Sequence, residues 1–183
     1  MDISGEYLMS VGRQEVWDSL LDAAVLRRCI PGCEELEELA DDRYRAKVKM
    51  AIGPVKATFL SELQLTSKNP PESYRLEGEG KGGAMGFGKG YADVTLTEED
   101  GATLLSYSTD FQVGGRLAQL GSRLVLGATR KIADDFFSAL TSDIDENSQR
   151  IEPEESATPG PRPWLIPVVA AGLILLAVWW QLS

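Results

Sequence analysis

The chain has 183 residues, with 28 acidic against 18 basic side chains, a net charge of −10 and no histidine. The missing imidazole excludes Ser-His-Asp and Cys-His catalysis and any metal site that needs a histidine ligand. The acidic balance, with no basic stripe interleaved with aromatics, argues against a nucleic-acid partner.

Residues 2–11 alternate apolar and polar side chains as a first strand does, with no basic start or apolar run of a secretory signal before them. Residues 13–29 then carry Val16, Trp17, Leu20 and Leu21 on one helical face, and Pro31 with Gly32 make a turn. Six strands are predicted next, at 34–40, 43–52, 55–66, 73–82, 86–97 and 102–113. Turn residues separate them: Asp41 with Asp42, Gly53 with Pro54, Asn69 to Pro71, and Asp100 with Gly101. A long amphipathic helix over 116–143 ends the domain, its apolar stripe made by Leu117, Leu120, Leu124, Ile132, Phe136, Phe137 and Leu140. The order predicts an α+β domain over residues 1–142, a curved antiparallel sheet gripping that last helix.

Residues 143–163 carry four prolines, at 153, 159, 161 and 163, and six acidic residues, a composition that predicts an unfolded acidic tether. Residues 164–182 are uncharged and long enough, at about 1.5 Å per residue, to cross a hydrocarbon core of about 30 Å. Trp164 at one end and Trp179 with Trp180 at the other stand where indole rings favour the headgroup layers. Arg150 and Arg162 precede this segment and no basic residue follows it. The expected topology is therefore a single-pass transmembrane anchor in the cytoplasmic membrane, with the main domain facing the cytoplasm.

Strand parity places unusually small residues on the inward face, among them Ala46, Ala57, Ser61, Gly78, Gly80, Gly82, Gly88, Gly90 and Ala92. Close packing normally fills such a face with Leu, Ile, Val and Phe. Two explanations stand: an apolar cavity that holds a small hydrophobic molecule, or glycines that let the strands bend and bulge. The glycine-rich runs at 78–90 and 113–121 lack the Gly-Lys-Ser/Thr ending of a phosphate loop, and Gly114 with Gly115 are expected to let the final helix start close to the sheet. Cys29 and Cys33, in CIPGC, have neither the spacing nor the second pair of a zinc site, so reduced thiols are expected, one packed and one loop-exposed, with a regulatory disulfide or metal capture as the alternative.

Four segments together carry a family resemblance: IPGCEELEEL at 30–39, IGPVKATF at 52–59, YRLEGEGKGGAMGFGKGYADVTL at 74–96 and VGGRLAQLGSRLV at 113–125. In this combination and order the domain resembles the carbon monoxide dehydrogenase G-subunit family, within the START/Bet v 1-like (SRPBCC) group. The resemblance implies a helix-grip fold with a hydrophobic cavity. It also implies an accessory role in recruiting or maturing a molybdenum carbon monoxide dehydrogenase or related hydroxylase, with a respiratory quinone, menaquinone or ubiquinone, as the proposed ligand and no covalent cofactor. Cys33 stands where a proline or another small residue is more usual, and no family function attaches to it.

The lining expected for the cavity is Trp17, Met50, Phe59, Leu76, Tyr91, Tyr107, Phe111, Leu120 and Leu124, opened by Gly78, Gly80, Gly88, Gly90, Gly114 and Gly115. Tyr107 is the expected polar contact to a quinone carbonyl, because a buried hydroxyl needs a partner. No catalytic residue is assigned. Two further readings fit the same residues: a membrane adaptor or maturation factor without a ligand, and a small-molecule cyclase or hydrolase of the same fold.

Overall fold

In the computed structural model, which describes residues 1–39 and 42–151, each alternating segment forms a strand of one antiparallel sheet. In chain order these are β1 (Asp2–Met9), β2 (Cys33–Glu38), β3 (Arg43–Ile52), β4 (Val55–Asn69), β5 (Ser73–Lys81), β6 (Phe87–Glu99) and β7 (Ala102–Gly114). The sheet runs β1-β7-β6-β5-β4-β3-β2, so the five consecutive hairpins form a meander and the first strand closes one edge beside the last. Register keeps inward residues opposite one another: Tyr74 pairs with Val94, Val94 with Tyr107, and Gly5 with Tyr107.

Both predicted helices are divided, each for a local reason. Asp22 accepts hydrogen bonds from the backbone N–H groups of Ala24 at 2.7 Å and Val25 at 3.2 Å. As an N-cap it starts a new helix, splitting the 13–29 stretch into α1 (Arg13–Leu21) and α2 (Ala23–Cys29). Gly121, at φ +84°, interrupts the C-terminal stretch, giving a short α3 (Arg116–Gln119) before α4 (Ser122–Ile151).

α4 continues through residues that composition assigns to an unfolded tether. Leu140 and Ile144, four residues apart, extend the buried stripe, and Ile144 is only 2% exposed. Asp143 accepts two hydrogen bonds from the Arg28 guanidinium of α2, at 2.9 and 3.0 Å. The compact unit accordingly runs over Met1–Gln149 rather than stopping at 142. Acidic composition hid one apolar position on the correct face. Among the described residues no helix is long and apolar enough to cross a membrane. The expected anchor at 164–182, and the tether after Ile151, lie outside the described residues.

The fully packed core lies where β1, β6 and β7 meet α1 and the later turns of α4, around Met9, Val16, Leu96, Leu105, Leu140 and Ile144. Thr103 is completely buried there and donates its hydroxyl to the carbonyl of Val11 at 2.8 Å, so its burial carries no unpaired polar atom.

Candidate functional site

Away from that core, the inward face of the sheet and α4 enclose a cavity of about 310 Å³. Every strand lines it: Ile3 from β1, Leu36 from β2, Tyr44 from β3, Leu63 and Leu65 from β4, Tyr74 and Leu76 from β5, Ala92 and Val94 from β6, Tyr107 and Thr109 from β7. Leu20 of α1, Leu26 of α2 and the following Ile30 and Pro31 add a side wall. α4 supplies Thr129, Ile132, Ala133, Phe136 and Phe137, a stripe at helical spacing. Ala92 on the sheet and Ala133 on the helix are the short side chains in this lining, where larger ones would fill the space. The volume is about twice the ~150 Å³ that accommodates benzene in a protein interior, enough for a fused two-ring group.

No charged side chain lines the cavity, and its polar groups are five hydroxyls, of Tyr44, Tyr74, Tyr107, Thr109 and Thr129. Three donate to backbone carbonyls. Tyr44 donates to the Leu21 carbonyl at 3.2 Å, Thr109 to that of Ile3 at 3.4 Å and Thr129 to that of Val125 at 2.9 Å. The Tyr107 phenol interacts with that of Tyr7, their rings stacked with centres 6.2 Å apart, and the Tyr7 hydroxyl donates to Asp134 Oδ1 at 2.6 Å. Gly5 makes this arrangement possible: a Cβ there would lie 2.7 Å from the Tyr107 ring, which crosses β1 at that point. Phe137 stacks on both phenols, with ring centres 4.5 Å from Tyr7 and 5.2 Å from Tyr107. Burial pushes the Tyr44, Tyr74 and Tyr107 phenols upward, and burial followed by the Asp134 hydrogen bond does the same for Tyr7, so all four are neutral at physiological pH. The site is suited to a neutral, largely apolar guest, since a charge buried in it would lack any counter-charge.

A family model for the G-subunit of carbon monoxide dehydrogenase (CoxG) matches residues 5–145, most of the chain. The chain belongs to the CoxG family. A conserved protein from Geobacillus kaustophilus is similar in structure at 31% identity, covering 80% of this chain and 96% of that one, with a TM-score of 0.76. Two more distant structures share the fold alone. A Thermus thermophilus protein has 15% identity, coverage of 81% and 99%, and a TM-score of 0.63. An aromatase/cyclase from a Streptomyces species has 11% identity, coverage of 81% and 95%, and a TM-score of 0.61. No curated protein matches the chain. The seven-stranded antiparallel sheet and its C-terminal helix are those of a Bet v 1-like helix-grip domain.

In this CoxG-family chain, two of the nine residues predicted to line the cavity do so, Leu76 and Tyr107. Trp17 lies in the packed core with its ring edge-on to Tyr74, centres 5.6 Å apart. Phe59 is buried further along the sheet, in the space that Gly82 leaves: a Cβ at Gly82 would lie 2.5 Å from the Phe59 ring. Met50 and Leu124 share a separate surface dent near the Gly53 turn, and Leu124 is 40% exposed. Leu120 is half-buried beside the Gly121 break, which rotates this part of the stripe away from the register an unbroken helix would have. Tyr91 faces outward, 39% exposed, with the Arg75 guanidinium 4.2 Å from its ring centre. Phe111 joins Tyr91 in an open groove with Gly78, Gly90, Glu77 and Glu79.

None of the six glycines predicted to open the cavity lines it. Gly78 and Gly114 instead leave room for neighbouring side chains: an added Cβ would lie 2.4 Å from Leu63 Cδ2 and 2.3 Å from the Phe87 ring, respectively. At Gly80 it would lie 2.9 Å from Ser61 Oγ, and at Gly90 2.3 Å from the Asp110 carbonyl, a close strand approach. Gly88 has nothing nearer than 3.8 Å, and Gly115, at φ +72°, sits against the backbone of Gly86. Tyr107, the predicted polar contact, lines the cavity with its ring stacked on that of Tyr7. Ile132, Phe136 and Phe137 stand on the predicted apolar stripe, whereas Tyr44, Tyr74, Thr129 and Ala133 were not named as lining. Their signal was present in inward strand parity and in the i, i+3, i+4, i+7 spacing from Thr129 to Phe136.

Cys29 is buried and Cys33 partly so, and both are free thiols. Burial pushes each upward, toward the neutral thiol.

Proposed function

We infer that this chain is a membrane-anchored accessory protein that holds a molybdenum-containing carbon monoxide dehydrogenase, or a related hydroxylase, at the cytoplasmic membrane and carries the ring of a respiratory quinone between bilayer and enzyme. The observation that carries the reading is the uncharged cavity of about 310 Å³ in a chain of the CoxG family. A water-soluble dehydrogenase and a bilayer-dissolved acceptor meet slowly unless something brings them together, and a tethered domain raises their local concentration. The cavity has the size of a quinone ring and part of a tail, leaving the remaining isoprenoid outside. Burial of apolar surface supplies the affinity and the neutral lining suits a neutral ring. The uncharged segment at 164–182 is the anchor in this account, with the acidic stretch before it as tether.

The test compares three strains of the host, carrying the whole chain, the chain lacking residues 164–182, and the whole chain with Ala133→Trp. Loss of the anchor is expected to release dehydrogenase activity from the membrane fraction. Filling the cavity is expected to keep the enzyme membrane-bound while substrate-dependent quinone reduction falls at least tenfold. Undiminished quinone reduction with the filled cavity would reject the carrier role.

A further inference from the structure

Tyr74 differs from every other hydroxyl in the cavity. It lines the cavity, is only 7% exposed, and its hydroxyl makes no hydrogen bond among the described residues. Of the remaining four hydroxyls, those of Tyr44, Thr109 and Thr129 donate to backbone carbonyls, and that of Tyr107 belongs to a phenol that interacts with the stacked Tyr7 phenol. Among the described residues Arg13 Nε is the fully enclosed side-chain nitrogen or oxygen without a hydrogen-bond partner, so the Tyr74 oxygen is not sealed away from the space in front of it. Its ring is also held in place: Trp17 packs edge-on against it at 5.6 Å, and inward strand parity between Ser73 and Arg75 fixes its direction. A buried donor without a partner is costly, and is kept where a ligand completes it.

We propose that Tyr74 is the specificity-determining residue of the cavity, donating its hydroxyl proton to a carbonyl-type oxygen of a neutral, ring-sized ligand. The assignment rests on the cavity being a ligand site, and it narrows the ligand class. A ring hydrocarbon fits the space but leaves the Tyr74 proton unused. An aromatic carboxylate offers an acceptor but brings a charge into a lining that holds no cation. A neutral quinone or aryl ketone satisfies both conditions. The sequence signal is slight, one tyrosine of five, and the accounting of hydrogen bonds distinguishes it from the others.

The experiment is calorimetric titration of the full chain in detergent, with micelles alone as the blank, using three probes of one size: dimethylnaphthoquinone, dimethylnaphthalene and naphthoate. The two methyl groups block addition of the Cys29 or Cys33 thiol to the quinone. The unaltered chain should bind the quinone about three- to tenfold more tightly than the hydrocarbon, the usual effect of one neutral hydrogen bond, and naphthoate least of all. Tyr74→Phe should bring quinone affinity down to that of the hydrocarbon and leave hydrocarbon affinity unchanged. A quinone preference that survives Tyr74→Phe, or naphthoate binding equal to that of the quinone, would overturn the assignment while leaving the cavity a ligand site. If the unaltered chain binds none of the probes, the ligand-site reading falls and takes the assignment with it.

Discussion

Tyr7 on the first strand donates its hydroxyl to Asp134 on the last helix at 2.6 Å, joining residues 127 apart in sequence. The same phenol engages Tyr107, so one polar chain runs from the surface carboxylate to the cavity wall and closes β1, β7 and α4 against one another. Tyr7→Phe removes the middle of this chain and is expected to destabilise the fold by about 1 kcal/mol, the net contribution of one partly exposed hydrogen bond. Asp134→Asn, which keeps an acceptor oxygen, should cost less. Chemical denaturation of both variants measures the order.

Alkaline titration probes the buried phenols. Tyr7, Tyr44, Tyr74 and Tyr107 are all raised in the folded chain, with burial as the leading cause. A raised group contributes stability that is fully present below its unfolded pKa, about 10 for tyrosine, and is lost as pH climbs from there toward the folded value. Stability should therefore fall above about pH 10, with tyrosinate absorbance appearing together with unfolding. The Cys29 and Cys33 thiols, also raised by burial, should begin the decline somewhat earlier. Tyr74→Phe should lessen the slope by up to about 1.4 kcal/mol per pH unit. At neutral pH it should not destabilise the chain, since it deletes a hydroxyl that has no partner.

Two glycines on the same face of β6 should respond differently to a methyl group. Gly88→Ala meets nothing within 3.8 Å and is expected to be neutral or slightly stabilising, because strand glycine costs conformational entropy. Gly90→Ala drives its Cβ to 2.3 Å from the Asp110 carbonyl, and should cost about 1–3 kcal/mol as the strands part. Thermal unfolding of the pair separates close strand approach from simple openness as the reason for glycine.

The domain's C-terminal limit can be tested at one side chain. Ile144, 2% exposed, lies just past the predicted end of the domain at 142. Ile144→Ala should cost about 2–4 kcal/mol, as for any buried aliphatic truncation. A chain ending after Ser142 would also lose the Arg28–Asp143 pair and should melt well below one ending after Ile151.

The sequence was most legible where local chemistry decides structure. Strand alternation and turn residues placed all seven strands, because period-two patterning and residues such as Gly53 with Pro54 act within a few positions. It was less legible where one residue interrupts a pattern. Asp22 as a cap and Gly121 at positive φ divide helices whose apolar spacing looks continuous, and the second break changed which α4 residues face the sheet. An apolar cavity is one of two readings of the small inward residues, and that reading places its opening on the glycines. At Gly78 and Gly114 the missing side chain's space is filled by Leu63 and Phe87, and at Gly90 by the Asp110 carbonyl, all from adjacent strands, which parity within one strand does not reveal. Ala92 and Ala133 do line the space, and Ala133 becomes visible only when the helix is laid across the sheet. The orphan hydroxyl of Tyr74 required knowing where the other four hydroxyls are spent.

We propose that the cavity between sheet and α4 holds a neutral carbonyl-bearing ring. The most direct test is native mass spectrometry with organic extraction on the full chain purified from its own host, beside the Ala133→Trp variant purified identically. A quinone at close to one per chain is expected in the first and its loss from the second, with bulk membrane lipid equal in both. No stoichiometric guest in the unaltered chain, or the same quinone content in both, would contradict it.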